Sequence, residues 1–213
     1  MMARLGPVFP VLCGAFALAS CGPAPQHRSP HFSQSQSQCL ADLGARAANF
    51  TALPDQYYGA GCSALGAVRL HSLTADSQSL ALTNLGPVTC PLANAFAGWA
   101  RFGIDRAARA ILGSPLVRIE TLGSYACRNV AGTNRRSGHA SANAIDVAAF
   151  VLADGRRITV EQGWTGGTSQ ERRFLRTIHQ SACRRFSMVL GPDYDTPHHN
   201  HFHVELGGEA LCH

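Results

Sequence analysis

The sequence predicts an α+β fold with a mainly antiparallel sheet, flanking helices and disulfide staples. Three observations carry that reading. Strand-like runs at 116–122, 144–152, 188–190 and 201–206 are short, and the second is followed by a tight hairpin turn. Helical spacing is confined to separate stretches and does not alternate regularly with strands, which favours segregated layers over a parallel α/β sheet. Six cysteines remain once the N-terminal segment is set aside: Cys39, Cys62, Cys90, Cys127, Cys183 and Cys212. An even set in an exported chain implies a disulfide framework.

Residues 1–20 have the form of an export signal. Arg4 supplies the positive start, and Val8 to Leu18 is apolar but too short to span a bilayer. The run closes on Leu18-Ala19-Ser20-Cys21, which resembles a bacterial lipobox and makes Cys21 the expected lipidation site. Gly22 after the cysteine, by resemblance to Gram-negative lipoproteins, favours the outer membrane. Residues 21–38 are rich in Pro, Ser and Gln and are expected to be a flexible tether. That leaves 39–213 as one domain, within the size a single core supports.

All basic residues are arginine and the formal charge is +5. The arginines are scattered, with neither the concentrated basic stripe nor the aromatic platform that nucleic-acid binding needs, so no nucleic-acid partner is expected. None of the cysteines is spaced C-x-x-C, which disfavours a zinc knuckle or a redox motif. Cys39 with Cys62 is the first pairing expected, as a local staple; the remaining connectivity is open.

In chain order, Leu40, Leu43, Ala47 and Phe50 fall at helical spacing, and a loop is expected over 51–62. Val68 to Leu73 reads as a strand, and 74–87 has no clear assignment. Pro91 marks a helix start, with Thr89 as a nearby cap. Leu92, Phe96, Trp99, Ala100 and Ile104 form its apolar face, and Gly113 ends it. A half-buried strand follows over 116–122. The strand over 144–152 turns at Asp154-Gly155 into a partner at 156–160. Thr168-Ser169-Gln170-Glu171 is a capping box opening a helix to about Cys183, with Phe174, Ile178 and Ala182 buried. Strands at 188–190 and 201–206 complete the domain.

Two segments concentrate the chemistry: Ser137-Gly138-His139-Ala140-Ser141-Ala142-Asn143-Ala144-Ile145-Asp146 and His198-His199-Asn200-His201-Phe202-His203. They offer imidazoles and one carboxylate, the donors of a catalytic zinc site that keeps an open position. Strand phase strengthens this. His201, His203 and Glu205 share one face of the last strand, while Phe202, Val204 and Leu206 share the other. Asp146 shares its face with Ala142, Ala144 and Ala148, while Ile145, Val147 and Val151 point oppositely. Each strand thus has a core face and a face with room for a ligand. His201, two residues before His203, is placed to touch a reacting water, and His198 to assist it. The planar fork of Arg128 suits a substrate carboxylate. By contrast, His27, His31, His71, His179 and His213 read as structural or solvated, His199 as exposed, and Asp193 and Asp195 as turn residues.

Ser137-x-His139 with Asp146 and the closing His201-x-His203 resembles the LAS metallopeptidases, which include D-Ala-D-Ala carboxypeptidases and murein endopeptidases of the M15 and MepA type. More narrowly, Gly123-Ser124-Tyr125-Ala126-Cys127-Arg128, the segment from Gly138 to Val147 and His201-Phe202-His203-Val204 resemble the bacterial extensin-like C-terminal domain. The resemblance implies a LAS/hedgehog-like fold and one zinc held by His139, Asp146 and His203. It also implies His201 as the catalytic histidine and peptidoglycan stem peptides as substrate, in the periplasm. Two positions depart from the LAS pattern. Ala142 replaces a glycine, and Asn200 stands where dipeptidase-type members have a glutamate, which shifts the expected mechanism toward a histidine-assisted one. A non-catalytic wall-binding module that keeps the zinc is the alternative. A non-haem iron site is a further one, since two histidines and a carboxylate also form that triad.

Overall fold

In the computed structural model, Met2 and residues 34–46, 48–76 and 78–213 are described. The expected signal, Cys21, most of the tether and Ala47 lie outside the described residues. The elements are α1 (Gln34–Ala45), β1 (Asn49–Ala52), β2 (Gln56–Gly59), β3 (Cys62–Ala64), β4 (Ala67–Thr74), β5 (Ser79–Thr83), β6 (Val88–Thr89) and α2 (Cys90–Trp99). After α2 the helix continues through wider π-type turns at Ala100–Asp105 and Ala108–Leu112. Then come β7 (Leu116–Gly123), a 3-10 turn (Gly138–Ser141), β8 (Ala144–Leu152), β9 (Arg157–Thr159), α3 (Val160–Gly163) and α4 (Ser169–Cys183). Strand β10 (Met188–Leu190), a second 3-10 turn (Thr196–His198), β11 (Phe202–Glu205) and β12 (Leu211–Cys212) close the chain.

The main sheet runs β1-β4-β5-β7-β8-β11-β10-β12, with β6 beside β4 and β9 beside β8. Its pairs are antiparallel except β5 with β7 and β10 with β12, so the expected mainly antiparallel α+β architecture holds. Helices cover one face. Phe96, Trp99, Phe150, Phe174 and Phe202 are fully buried between them and the sheet, and Trp99 Nε1 donates to the Ile178 carbonyl at 3.0 Å. Phe202 and Val204 join this core from β11, and Ile145 and Val147 join it from β8. Their alternate neighbours His203 and Asp146 are thereby turned to the other face, as a period of two requires.

Several local expectations hold closely. Strand β8 spans the expected residues, Gly113 ends the long helix at φ 71°, and Thr168 and Glu171 form the reciprocal capping box. Others are corrected. Helix α1 begins at Gln34, inside the expected tether, and stops at Ala45, so Phe50 belongs to β1. The polar Gln-Ser run has no core of its own, but Leu43 is buried in the main core and Cys39 is bonded to Cys90 at the head of α2. The expected loop over 51–62 contains most of a small β2–β3 hairpin, turned at Gly59, Ala60 and Gly61, all with positive φ. Thr89 does not cap α2 with its side chain; its hydroxyl donates to Asn143 Oδ1 at 3.1 Å.

The Cys39–Cys62 pairing is also overturned. The bridges are Cys39–Cys90, Cys62–Cys127 and Cys183–Cys212. The β2–β3 hairpin carries Cys62 away from α1 and against the loop after β7, where Cys127 waits. In β8 the expected phase fails past Ala148. Register shifts between β7 and β8 near Glu120 and Thr121 are β-bulges, and each bulge turns the following side chains over. Val151 is therefore half-exposed while Phe150 and Leu152 are buried.

Candidate metal centre

The site is built from two neighbouring strands and one tight turn. Strands β8 and β11 pair so that His203 lies directly opposite Asp146, which puts both side chains on one face within reach of each other. On the other side of Asp146 the register partner is Gly123 of β7, which has no side chain to crowd it. His139 arrives from the 3-10 turn just before β8. Ser137 accepts from the His139 backbone N–H at 3.4 Å, and Ala126 N–H donates to the His139 carbonyl at 3.1 Å. The turn ends at Ala142, which adopts a left-handed φ of 55°.

The three expected ligands converge. His139 Nε2 lies 3.2 Å from Asp146 Oδ2 and 3.2 Å from His203 Nδ1, and His203 Nδ1 lies 2.9 Å from Asp146 Oδ1. A tetrahedral ion with bonds of about 2.0–2.1 Å needs its donors roughly 3.3 Å apart. These contacts, made through both oxygens of Asp146, are within a few tenths of an ångström of that, and one ligand atom from each residue lies within 4.8 Å of the others, so the residues fit a small divalent metal. The ring nitrogens facing away from the triangle are also used. His139 Nδ1–H donates to the Ser124 carbonyl at 2.7 Å, and His203 Nε2 faces Glu205 Oε2 at 3.3 Å. Both rings are thereby held with one nitrogen free for a metal.

Electrostatics agree with a cation site. Burial works against charge on Asp146, but hydrogen bonds from His139, His201 and His203 outweigh it and hold the carboxyl well below the usual carboxylate range. Burial likewise opposes charge on His203, yet Asp146 and Glu205 outweigh it and push the imidazole up to about 9. In the metal-free protein that proton occupies the place a metal would take.

His201 stands beside the triangle. Its Nδ1–H donates to Asn200 Oδ1 at 2.8 Å, and its Nε2 is 3.4 Å from Asp146 Oδ1. Asn200 thus holds one ring nitrogen of His201 and leaves Nε2 turned to the site. His198 stacks near both His201 and His203, with ring centroids 5.2 and 5.8 Å away. Its Nδ1–H donates to Asp195, and burial lowers its pKa. Asp195, expected only as a turn residue, does cap the second 3-10 turn, and it also orients His198. The Asp-x-Pro-His spacing carries that signal, since a capping carboxylate reaches forward about one turn. His199 is exposed, as expected.

These groups lie in a cleft of about 510 Å³, lined among others by Asp146, His198, His201, His203, Arg128 and Arg136. Arg128 is exposed on its wall, and its backbone is pinned by Cys127–Cys62 and by Ser137 N–H donating to its carbonyl. Arg136 bonds Asn129 Oδ1 at 2.8 Å and the Ala60 carbonyl, tying the β2–β3 hairpin to the same rim. A second group, His179 with Cys183 and Cys212, also clusters. Its two sulfurs are joined to each other, so it offers no thiolate. His179 is instead structural, packed against Trp164 and Phe202.

A family model described as the extensin-like protein C-terminus matches residues 37–213. The chain belongs to that family. No curated protein and no solved structure matches it.

Proposed function

We propose that this member of the extensin-like family is a zinc-dependent peptidase acting on peptide bonds of peptidoglycan. The observation that carries the reading is the convergence of His139, Asp146 and His203, the latter two lining an open cleft, with a third histidine, His201, beside them. Zinc in a two-histidine, one-carboxylate site with an open position supplies Lewis acidity and lowers the pKa of water to about 7. The chain's own groups supply the remainder. His201, whose Nε2 is turned to the site, takes a proton from the attacking water and returns it to the leaving amine. His198, held by Asp195, supports that transfer. Arg128 on the wall meets a substrate carboxylate through its bidentate fork.

The motif resemblance to LAS metallopeptidases supports this reading and a LAS/hedgehog-like arrangement of the sheet. Peptidoglycan as substrate also accords with the export-signal-like start and lipobox-like Cys21, and in this reading the protein works in the periplasm, anchored to the outer membrane. Among the described residues no helix is long and apolar enough to cross a membrane; in the proposed reading the anchor is a lipid on Cys21. Purified protein is expected to contain about one zinc and to alter the muropeptides released from isolated sacculi, and His139→Ala to do neither. Zinc-loaded protein that leaves sacculi and defined stem peptides intact refutes the peptidase and favours the non-catalytic wall-binding module. Iron in place of zinc favours the oxygenase-type site.

A further inference from the structure

We infer that Glu205 is the positioning residue that makes His203 bind through Nδ1, and that Gly138 is glycine in order to admit it. This rests on the proposed metal site and concerns which nitrogen faces the ion and what holds it there. In the donor triangle His203 takes part through Nδ1, which lies 2.9 Å from Asp146 Oδ1 and 3.2 Å from His139 Nε2. Coordination there requires the ring's hydrogen on Nε2, and the acceptor facing Nε2 is Glu205 Oε2 at 3.3 Å. The arrangement follows from the strand, since residues 203 and 205 share the cleft face of β11. Glu205 cannot itself be a fourth ligand in this geometry, because it addresses the nitrogen turned away from the triangle.

The second observation is independent of the hydrogen bond. A Cβ placed on Gly138 would lie 2.3 Å from the Glu205 carboxyl carbon and Oε2 and 2.7 Å from Oε1. No real contact is that close, so any side chain at 138 expels the carboxylate. Gly138 precedes His139 in the turn that delivers the other imidazole. The two ligand-bearing segments therefore meet where the glycine yields space to the carboxylate. Gly138 has no positive φ to explain its presence; the neighbouring carboxylate does.

The test is zinc affinity of the full chain, measured by competition with a chromophoric chelator. Glu205→Ala should weaken zinc binding about 10- to 100-fold, the range for losing an outer partner of a ligating histidine. Glu205→Gln, whose amide oxygen still accepts from Nε2–H, should recover most of that loss. Gly138→Ala should match Glu205→Ala, and the double variant should bind no worse than Glu205→Ala, since both remove one interaction. Losses that multiply in the double variant, or a Glu205→Gln no better than Glu205→Ala, would overturn the inference. If Gly138→Ala does not fold, the Ala and Gln variants at 205 decide alone. Wild type that binds zinc beside an equally tight Glu205→Ala refutes only the role of Glu205. Wild type that takes up no zinc refutes the metal site, and this role with it.

Discussion

Zinc binding should be steeply pH-dependent, because His203 holds a proton where the proposed metal would bind. His203 is pushed up to about 9 from an ordinary 6.5, despite burial, by Asp146 and Glu205. At pH 7 roughly one molecule in 100 then has Nδ1 free, so apparent affinity should rise about tenfold per pH unit from 7 to 9 and then level off. The total gain is about 100-fold, with about one proton released per zinc at neutral pH. Chelator competition at pH 7, 8 and 9 and fixed ionic strength gives the slope. Calorimetry in two buffers of different ionisation enthalpy gives the proton count. The same shift sets the sign of the stability change without metal. A folded pKa above the unfolded one contributes stability that is full below about 6.5 and is lost as pH rises through about 9. For His203 that contribution is on the order of 3 kcal/mol, and zinc-loaded protein should show the opposite trend over that window. An affinity that is flat from pH 7 to 9, with no proton released, would refute the reasoning at its root: either His203 is not cationic in the free protein or it is not a ligand.

Other substitutions separate the parts of the site. His201→Ala should bind zinc normally and lose hydrolysis by about 10²- to 10⁴-fold, measured on defined stem peptides, because its nitrogen lies outside the donor triangle; lost zinc would show it to be a ligand. Cys62→Ser with Cys127→Ser opens a loop of 65 residues and should cost up to about 4 kcal/mol, or roughly 10 °C in melting temperature. That loss should be accompanied by weaker substrate binding, since the bridge adjoins Arg128. Ala142→Gly should be close to neutral in a denaturant titration. It relieves about 1 kcal/mol of left-handed strain but surrenders about 0.8 kcal/mol from a buried methyl.

The face-by-face logic of the centre was legible because it needs only a period of two. Once Phe202 and Val204 are assigned to the core, His203 must face away from it, and the same holds for Asp146 between Ile145 and Val147. Residues whose placement depends on distant partners were not legible. Cys39 and Cys62 are neighbours in sequence, but a hairpin and a helix separate them, and only tertiary docking brings Cys62 to Cys127. The phase of β8 was readable up to Ala148 and not beyond, because a bulge is set by the register with β7. Asp195 looks like any turn carboxylate until the ring of His198 is seen on it. The α1 start was hidden for a different reason. Gln34 to Gln38 have no apolar face, and the helix they begin is anchored further along, by Leu43 in the core and by the Cys39–Cys90 bridge.

The two departures from the metallopeptidase pattern bear on whether the proposed enzyme can work. Ala142 is the lesser one. The position has φ 55°, which explains a preference for glycine, yet the chain accepts alanine there and buries its methyl against Ala64 and Ala67. Asn200 matters more, because a carboxylate at that register would be the expected proton acceptor. The amide cannot act as a base, but it holds Nδ1 of His201 and leaves Nε2 turned toward Asp146. A carboxylate in that place would favour the imidazolium, which is no base at all. In the proposed mechanism the change from carboxylate to amide therefore removes a negative charge that would hold a proton on His201. On this argument Asn200→Asp should not restore a missing function. It should move the acid limb of the activity profile to higher pH, and an unmoved limb would mean that His201 is not the base.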